Sequence, residues 1–460
     1  MMKKDKSGVV VSPKATIRDA VEAIVKNGLL GVFVCDGDGE LIGIVMDSDI
    51  RRAILSNVDL KASVKIIMKT NPCVVDAGLP YDKRNEVLIK SGKILAPIID
   101  ERRCVVDYIF LPEVMDKIYK ERTVNDLEES QGILPPRRVL VIGGAGYIGS
   151  VLVRKLLRLG YKVRVLDLLL YGKESVAHFN EEKTFEFIRG DCRDEGVVRQ
   201  SLEGVEAVIQ LGEIVGDPAC RISEELTIET NYVATNMVVE QCIHFNIRRF
   251  IFTSSCSAYG TNDKEVTEGS ELNPVSLYAR CKIESEKAIL SHNYDHFCPT
   301  ILRLATVHGI SYRQRFDLVV NLLTIQALVE GRIRIFGGEQ WRPFVSVKDI
   351  CKAIVTVLHS AKSVVKGQTF NLGDSRENYQ LFQIGNIVKE VVGDVHVEII
   401  DDNTDKRNYR VNFDKIKKRL GFSSEYKIND SVEAIASACR DEKLFRDYNV
   451  PKYHNHLSLK

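Results

Sequence analysis

The sequence predicts an α/β fold: a doubly wound, mostly parallel sheet with a smaller C-terminal region, preceded by a separate α+β module. Three observations predict it. From residue 137 onward, short apolar runs alternate with helical patterns, as parallel strands joined by crossover helices require. The first of these runs opens into a glycine-rich turn, Gly143, Gly146 and Gly149. Upstream, residues 1 to about 125 carry a degenerate internal repeat.

Length and composition set the frame. A chain of 460 residues exceeds one compact core, so two or three domains are expected. Hydrophobic residues make up 45% and charged residues 28%, an ordinary globular balance. The net charge of +1 gives no global field for nucleic acid or an anionic membrane. No apolar run is long enough to span a bilayer, and the opening Met-Met-Lys-Lys-Asp-Lys leads into no apolar signal segment. Eleven cysteines are scattered without a C-x-x-C pair. They read as reduced thiols in a cytoplasmic protein, not as a disulfide framework or a metal site. The histidines form no metal constellation either, and His454 and His456 lie in a polar tail expected to be disordered.

The repeat is fixed by three landmark pairs, each 64 residues apart: Val11 with Val75, Gly28 with Gly92, and Asp36 with Asp100. Each unit reads alike. An extended piece, Val9 to Val11, precedes a helix over Ile17 to Asn27 with Ala20, Val21, Ile24 and Val25 on one stripe. Gly28 caps it. Two strands, Gly31 to Cys35 and Leu41 to Val45, are joined by the turn Asp36-Gly37-Asp38-Gly39. A second helix starts at Asp47. Residues 126 to 136, polar and closed by Pro135-Pro136, are expected to be a linker.

The run S-P-K-A-T-I-R-D-A followed by G-E-L-I-G-I-V-M-D-S-D-I-R-R-A resembles a CBS domain, and two such repeats imply a CBS pair over 1–125. That resemblance implies a module for an adenine nucleotide, with Asp49 in place to hold the ribose. The family's preceding hydroxyl is replaced by Met46, and Phe110 and Glu113 take the equivalent positions in the second repeat.

The next element is the strand Arg138 to Ile142. It runs into Gly143-Gly-Ala-Gly146-Tyr147-Ile148-Gly149, then a helix from about Ser150 to Leu159 ended by Gly160, then the strand Lys162 to Leu166 closed by Asp167. Glycines at these positions let the backbone approach a pyrophosphate, and the helix N-terminus offers it free N–H groups. Asp167 can accept from both ribose hydroxyls and repels a 2′-phosphate, which favours NAD over NADP. Further strands over Phe185 to Ile188, Ala207 to Leu211 and Phe250 to Ser254 continue the pattern.

Tyr278 and Lys282 form a Tyr-x-x-x-Lys pair, 135 residues (278 − 143) beyond the glycine turn. A phenol with a reference pKa near ~10 is a poor base at neutral pH. A lysine one helical turn away, on the same face, favours the phenolate. Tyrosine can then move a proton on a sugar or alcohol oxygen.

Six motifs in order carry a second resemblance: G-G-A-G-Y-I-G-S, R-G-D-C-R-D, S-S-C-S-A-Y-G, Y-A-R-C-K, L-R-L-A-T-V-H-G and W-R-P-F-V-S-V-K-D-I. Together they resemble the nucleotide-sugar epimerase/dehydratase branch of the extended short-chain dehydrogenase/reductases, over 137 to about 440. The resemblance implies an NAD-binding Rossmann core with a discontinuous C-terminal substrate-binding part within 137–460. It places Asp191 at the adenine edge with the Cys192 backbone beside it, and Leu211 behind the cofactor. Ser255 is the hydroxyl expected to share the substrate oxygen, with Ser254 and Ser257 as alternatives. Lys282 would also reach the nicotinamide ribose.

Two departures stand out. Where the branch often has Ala-Ala after Leu211, this chain has Gly212-Glu213. Where its dehydratases carry Thr-Asp-Glu, it has Ser255-Cys256-Ser257, poor substitutes for an acid/base pair, so 4,6-dehydration is disfavoured. That leaves 4-epimerisation through a transient 4-keto sugar, or a nucleotide-sugar 4-dehydrogenase or reductase. The L-R-L-A-T-V-H-G-I-S-Y-R-Q-R-F-D-L-V-V-N stretch is similar to a subset that includes enzymes on GDP-linked heptoses. A catalytically silent NAD or adenine-nucleotide sensor, and a reductase on a non-sugar carbonyl, are the other readings. Arg342 and Arg407, then Arg315 and Asn321, are the residues expected to hold the diphosphate of a nucleotide sugar, since arginine forks suit phosphate. Two helices, roughly Glu224 to Phe245 and Leu277 to Leu290, are expected to pair with a second copy in a homodimer.

Overall fold

The computed structural model describes residues 8–115, 136–292, 294–401, 405–441 and 444–459. The expected linker, 126–136, lies outside them except for Pro136. The chain folds as two compact units. The first comprises Met1–Gly132 with Tyr232–Ile247 and Tyr294–Phe297, and the second is the remainder. The sequence reading had assigned those two inner segments to the larger domain.

Within the first unit the 64-residue offset recurs in the first helix and in the two strands that follow it. Helices Ile17–Asn27 and Tyr81–Ser91 both end in left-handed glycines, Gly28 at φ 67° and Gly92 at φ 69°. Strands Gly31–Cys35 and Leu95–Ile99 each pair antiparallel with a following strand, Leu41–Met46 and Val105–Phe110. The turn chemistry repeats as well. The Asp36 carboxylate accepts from the Asp38 and Glu40 amides, and the Asp100 carboxylate from those of Arg102 and Cys104. Thr16 and Asp19 close a capping box on the first helix.

The second unit is organised by a seven-stranded parallel sheet. In chain order its strands are β1 (Arg138–Ile142), β2 (Lys162–Asp167), β3 (Phe185–Arg189), β4 (Ala207–Gln210), β5 (Arg249–Ser255), β6 (Cys298–Leu304) and β7 (Gln368–Leu372). They lie in the order β7-β6-β5-β4-β1-β2-β3. The order reverses at β1, so a crevice opens beyond the C-terminal ends of β1 and β4, where doubly wound sheets bind ligands. Val139, Leu140 and Val141 of β1 are fully buried, as a strand covered on both faces requires.

Two helices position the site. Helix α1 (Tyr147–Arg158) starts at Gly146 and buries Leu152, Val153 and Leu156 on one stripe. It begins three residues earlier than the periodicity suggests, because the glycine turn itself leads into its first turn. Helix α2 (Leu277–Ser291) is capped by the Ser276 hydroxyl, which accepts from the Ala279 amide at 3.3 Å. Helices Val319–Glu330, Leu381–Val392 and Ile428–Arg440 pack around a second core that includes Val320, Ile384 and Val432.

The helix expected over Glu224 to Phe245 is interrupted. Glu224–Ile228 passes through a π-turn, Glu229–Val233, into Ala234–His244. Val238, Val239, Cys242 and Ile243 of the last segment are buried within the chain.

Candidate active site

The glycine turn is built for close approach. Gly143 has φ +81°, and a Cβ there would meet the Gly212 amide at 2.6 Å. A Cβ on Gly149 would meet the Gly143 carbonyl at 2.2 Å. Side chains at these points would collide with neighbouring backbone and displace the turn, which in its tight form lines the cavity and fits a dinucleotide. Asp167, at the end of β2, accepts from the Ala145 amide at 2.9 Å and the Leu169 amide at 2.8 Å, which holds the turn against the strand. Burial raises its carboxyl above the usual range, and those two amides oppose the shift.

Gly143, Gly146, Tyr147, Ile148, Gly149, Asp167, Asp191, Cys192, Leu211, Ser255, Tyr278 and Lys282 all line one cavity of about 360 Å³. The Tyr147 hydroxyl is committed away from a ligand, donating to the Gly309 carbonyl at 2.6 Å. Asp191 is engaged by Arg193, whose guanidinium holds its carboxyl below the ordinary range.

Ser255 ends β5, and Tyr278 and Lys282 stand one turn apart on α2. The Ser255 hydroxyl lies beside the Tyr278 phenol in the cavity and acts to lower its pKa. Lys282 is 2% exposed, with its ammonium 5.6 Å from the centre of the Tyr278 ring. It donates to the Thr253 carbonyl at 2.5 Å and is ion-paired with Glu213. Nothing in the local sequence around Glu213 announces this pairing, because Lys282 lies 69 residues away. Burial raises the Tyr278 phenol well above its ordinary value; Glu213 adds to the shift and Ser255 opposes it. Burial also raises the Glu213 carboxyl, against the pull of Lys282.

The arginine assignments divide. Arg315 and Arg407 reach the cavity wall. Arg407 is held by Asp405 at 2.7 Å and Asp217 at 3.4 Å, and Arg315 by Asp317 at 2.8 Å. Arg342 and Asn321 are absent from the lining, a correction to the expectation. Arg342 is buried behind the wall, paired with Asp405 at 2.9 Å and bonded to the Arg407 carbonyl. Asn321, fully buried, braces the Gly309 amide, the Tyr147 hydroxyl and the Arg315 carbonyl. Both support the wall instead of forming it. Arg313, which the sequence reading passed over, lines the cavity with its guanidinium 3.8 Å from the Tyr171 ring centre. Its Nε and one Nη make no hydrogen bond, and burial lowers its pKa to about 10.

The C-terminal tail also departs from expectation. His454 is buried and bonded to the Tyr448 carbonyl at 2.8 Å, and residues Asn455–Ser458 form a short helix. The Asn455 amide donates to the Val215 carbonyl at 3.0 Å, and Asn455 and Leu459 close one side of the cavity. Leu459 and Tyr278 pack against Ile214, Ala219 and Cys220. The tail has no apolar periodicity to announce this, because only single residues of it are buried.

In the first unit the Asp49 carboxylate is used locally, accepting from the Met46 amide at 3.0 Å and pairing with Lys69 at 3.0 Å. At the equivalent places of the second repeat, Phe110 is buried and Glu113 exposed.

Comparison with known proteins gives the family. Residues 139–373 match the NAD dependent epimerase/dehydratase family, and residues 4–56 match the CBS domain. The chain is 30% identical over 276 residues to a UDP-glucose 4-epimerase of Lactobacillus helveticus, covering 56% of this chain and 82% of that protein. It is 26% identical over 318 residues to a dTDP-glucose 4,6-dehydratase of Streptomyces niveus, covering 66% and 94%. Among solved structures, the UDP-glucuronic acid 4-epimerase from Bacillus cereus, in complex with UDP-glucuronic acid and NAD, superposes with a TM-score of 0.60 at 26% identity. That match covers 66% of this chain and 99% of the other.

Proposed function

Since the chain belongs to the NAD dependent epimerase/dehydratase family, we propose that it is an NAD-dependent nucleotide-sugar epimerase acting at C4 through a transient 4-keto sugar. NAD is its cofactor; when bound, it accepts a hydride from the sugar carbon and returns it. The protein's own residues manage the proton and the geometry. Tyr278, in its phenolate form, takes the proton of the C4 hydroxyl and, as the phenol, gives it back. The Ser255 hydroxyl, which lines the same wall, orients the same sugar oxygen. Arg407 and Arg315, each fixed by a carboxylate, hold the diphosphate, with Arg342 and Asn321 acting through the backbone they brace.

The observation that carries this reading is the trio of Ser255, Tyr278 and Lys282 on one wall, followed by no acid where dehydration needs one. Cys256 is 1% exposed, and its thiol donates to the Arg303 carbonyl at 3.3 Å. Burial pushes that thiol far above neutrality. Ser257 lines the cavity, but an aliphatic hydroxyl with no neighbouring base is neither an acid nor a base at neutral pH. Neither residue replaces the missing acid/base pair.

The test is a panel of UDP-, GDP- and dTDP-sugars. An isomeric product without net NADH supports the reading. Accumulating NADH with a keto product identifies a dehydrogenase, a 4-keto-6-deoxy product a dehydratase, and no product a sensor. Two further parts of the proposal stand apart from catalysis. The CBS module binds an adenine nucleotide and adjusts activity, which calorimetry with AMP and ATP on the full chain checks. The cytoplasmic protein is a homodimer, which sedimentation at micromolar concentration checks.

A further inference from the structure

Glu213 is the acid for which the proposed reaction has no use. It follows Leu211 and Gly212 at the end of β4, and its side chain is 1% exposed. One carboxylate oxygen, Oε2, faces the Lys282 ammonium, while Oε1 has no hydrogen-bond partner. A buried carboxylate oxygen left unpaired is costly, so its persistence asks for a donor from a ligand. The adjoining Ile214 backbone is clamped from both sides by the Asn231 carboxamide, whose Oδ1 accepts at 2.8 Å and whose Nδ2 donates at 2.7 Å. Asn231 itself is fully buried in the π-turn that interrupts its helix.

Lys282 is committed in a complementary way. An ammonium has three donors. One goes to Glu213 and one to the Thr253 carbonyl, which leaves one for a ligand. One free acceptor on Glu213 and one free donor on Lys282, side by side on the cavity wall next to Tyr278, match a vicinal diol. A lysine at the place of Lys282 is the family's contact to the nicotinamide-side ribose; we propose that in this chain Glu213 shares that contact, with Glu213 Oε1 accepting from one hydroxyl of the diol while Lys282 donates to the other. The inference rests on Tyr278 and Lys282 being the nicotinamide-side pair of the proposed function.

The site has a second consequence. The groups facing Tyr278 are Glu213, with Asp217 and Cys220 from the short helix after it, Ser255 from β5 and Lys282 from α2. Glu213 offsets the lysine charge that would otherwise favour the phenolate, so it is a positioning residue for the proton as well as for the ribose.

The test compares ADP-ribose, which carries the second ribose, with ADP, which lacks it. Affinities are measured by calorimetry on the full chain freed of bound dinucleotide. In Glu213→Ala, ADP-ribose binding weakens about tenfold or more while ADP binding is unchanged, because a hydrogen bond to a charged group is lost. In the isosteric Glu213→Gln the amide oxygen still accepts, and the loss is smaller, about threefold. Equal weakening of both ligands, or of neither, overturns the proposal; if the alanine variant does not fold, the glutamine variant decides by the same ratio. The Tyr278 phenolate absorbance, taken against Tyr278→Phe in each background, titrates at lower pH in Glu213→Gln. An unchanged midpoint removes the positioning role. These readouts need no turnover. A chain inactive on every nucleotide sugar with an altered ratio keeps this inference and loses the proposed function, and turnover with an unaltered ratio does the reverse.

Discussion

Tyr278 bears the sharpest prediction at the scale of a single residue. Tyr278→Phe removes the hydroxyl and leaves the ring packed on Ile214, Ala219 and Cys220. Turnover should fall about 10²–10⁴-fold, the range for a lost general acid–base group, with NAD retained. Steady-state kinetics with a cofactor assay on the same preparation checks it, and an active variant would assign the proton elsewhere. The phenol's raised pKa also fixes the sign of the pH profile. The base form grows as pH rises, so kcat/KM for proton removal increases toward alkaline pH until other groups intervene. Much of this was legible in the sequence. Tyr278, Lys282 and the glycines announce themselves by local spacing, which a helix or turn converts directly into geometry. Glu213 did not, because its partner lies 69 residues away, and no local pattern says that two strand ends and a helix bring the pair together.

At the scale of elements, what matters is how the strand bearing Ser255 is locked to the helix bearing Tyr278. Glu286 of α2 receives the Arg303 guanidinium of β6 in a bidentate pair, with a shortest distance of 2.6 Å, and also the Ser254 hydroxyl of β5. Arg303 reaches on to the Tyr259 hydroxyl at 2.9 Å. Both ionic side chains are under a tenth exposed. Removing one partner leaves a buried charge, so Arg303→Met should cost about 3–5 kcal/mol, and the double variant with Glu286→Leu should recover part of it. Thermal unfolding of the two variants tests this; equal losses would mean packing, not charge, is at stake.

His308, in the strand Thr306–His308, gives a second test. It is fully buried against the Ser431 hydroxyl at 2.8 Å, and burial lowers its imidazole pKa to about 3. The unfolded value is about 6.5, so the unfolded chain binds the extra proton between the two. The neutral folded form therefore contributes its full stability above pH ~6.5 and loses about 2 kcal/mol of it by pH 5. The Tm advantage of the parent over His308→Asn should shrink over that interval, and a constant difference would contradict the assignment. The supports at this scale, Arg342 and Asn321, were expected from sequence to contact the ligand. Their polar character was plain, but only burial shows that they are engaged by Asp405, Tyr147 and the backbone of Arg407, Gly309 and Arg315.

For the whole molecule, the clearest departure from sequence is the tail. Removing residues 451–460 strips Asn455 and Leu459 from the cavity and exposes the cluster around Ile214 and Cys220. KM for the sugar substrate should rise several-fold with the fold retained, as initial rates and circular dichroism would show. An unchanged KM would make the tail a bystander. The architecture was largely readable, since alternation of strand and helix and a 64-residue repeat are patterns of the chain itself. The grouping of Tyr232–Ile247 with the first unit was not, since it depends on contacts between distant segments.

The central claim is that a hydride leaves and returns to the same sugar carbon while Tyr278 manages the proton. It is tested most directly by placing deuterium at C4 of whichever nucleotide sugar the panel identifies and locating it by NMR. The account predicts deuterium retained at C4 of the epimer with no labelled NADH released. Deuterium at another carbon, or carried off in NADH, would contradict it.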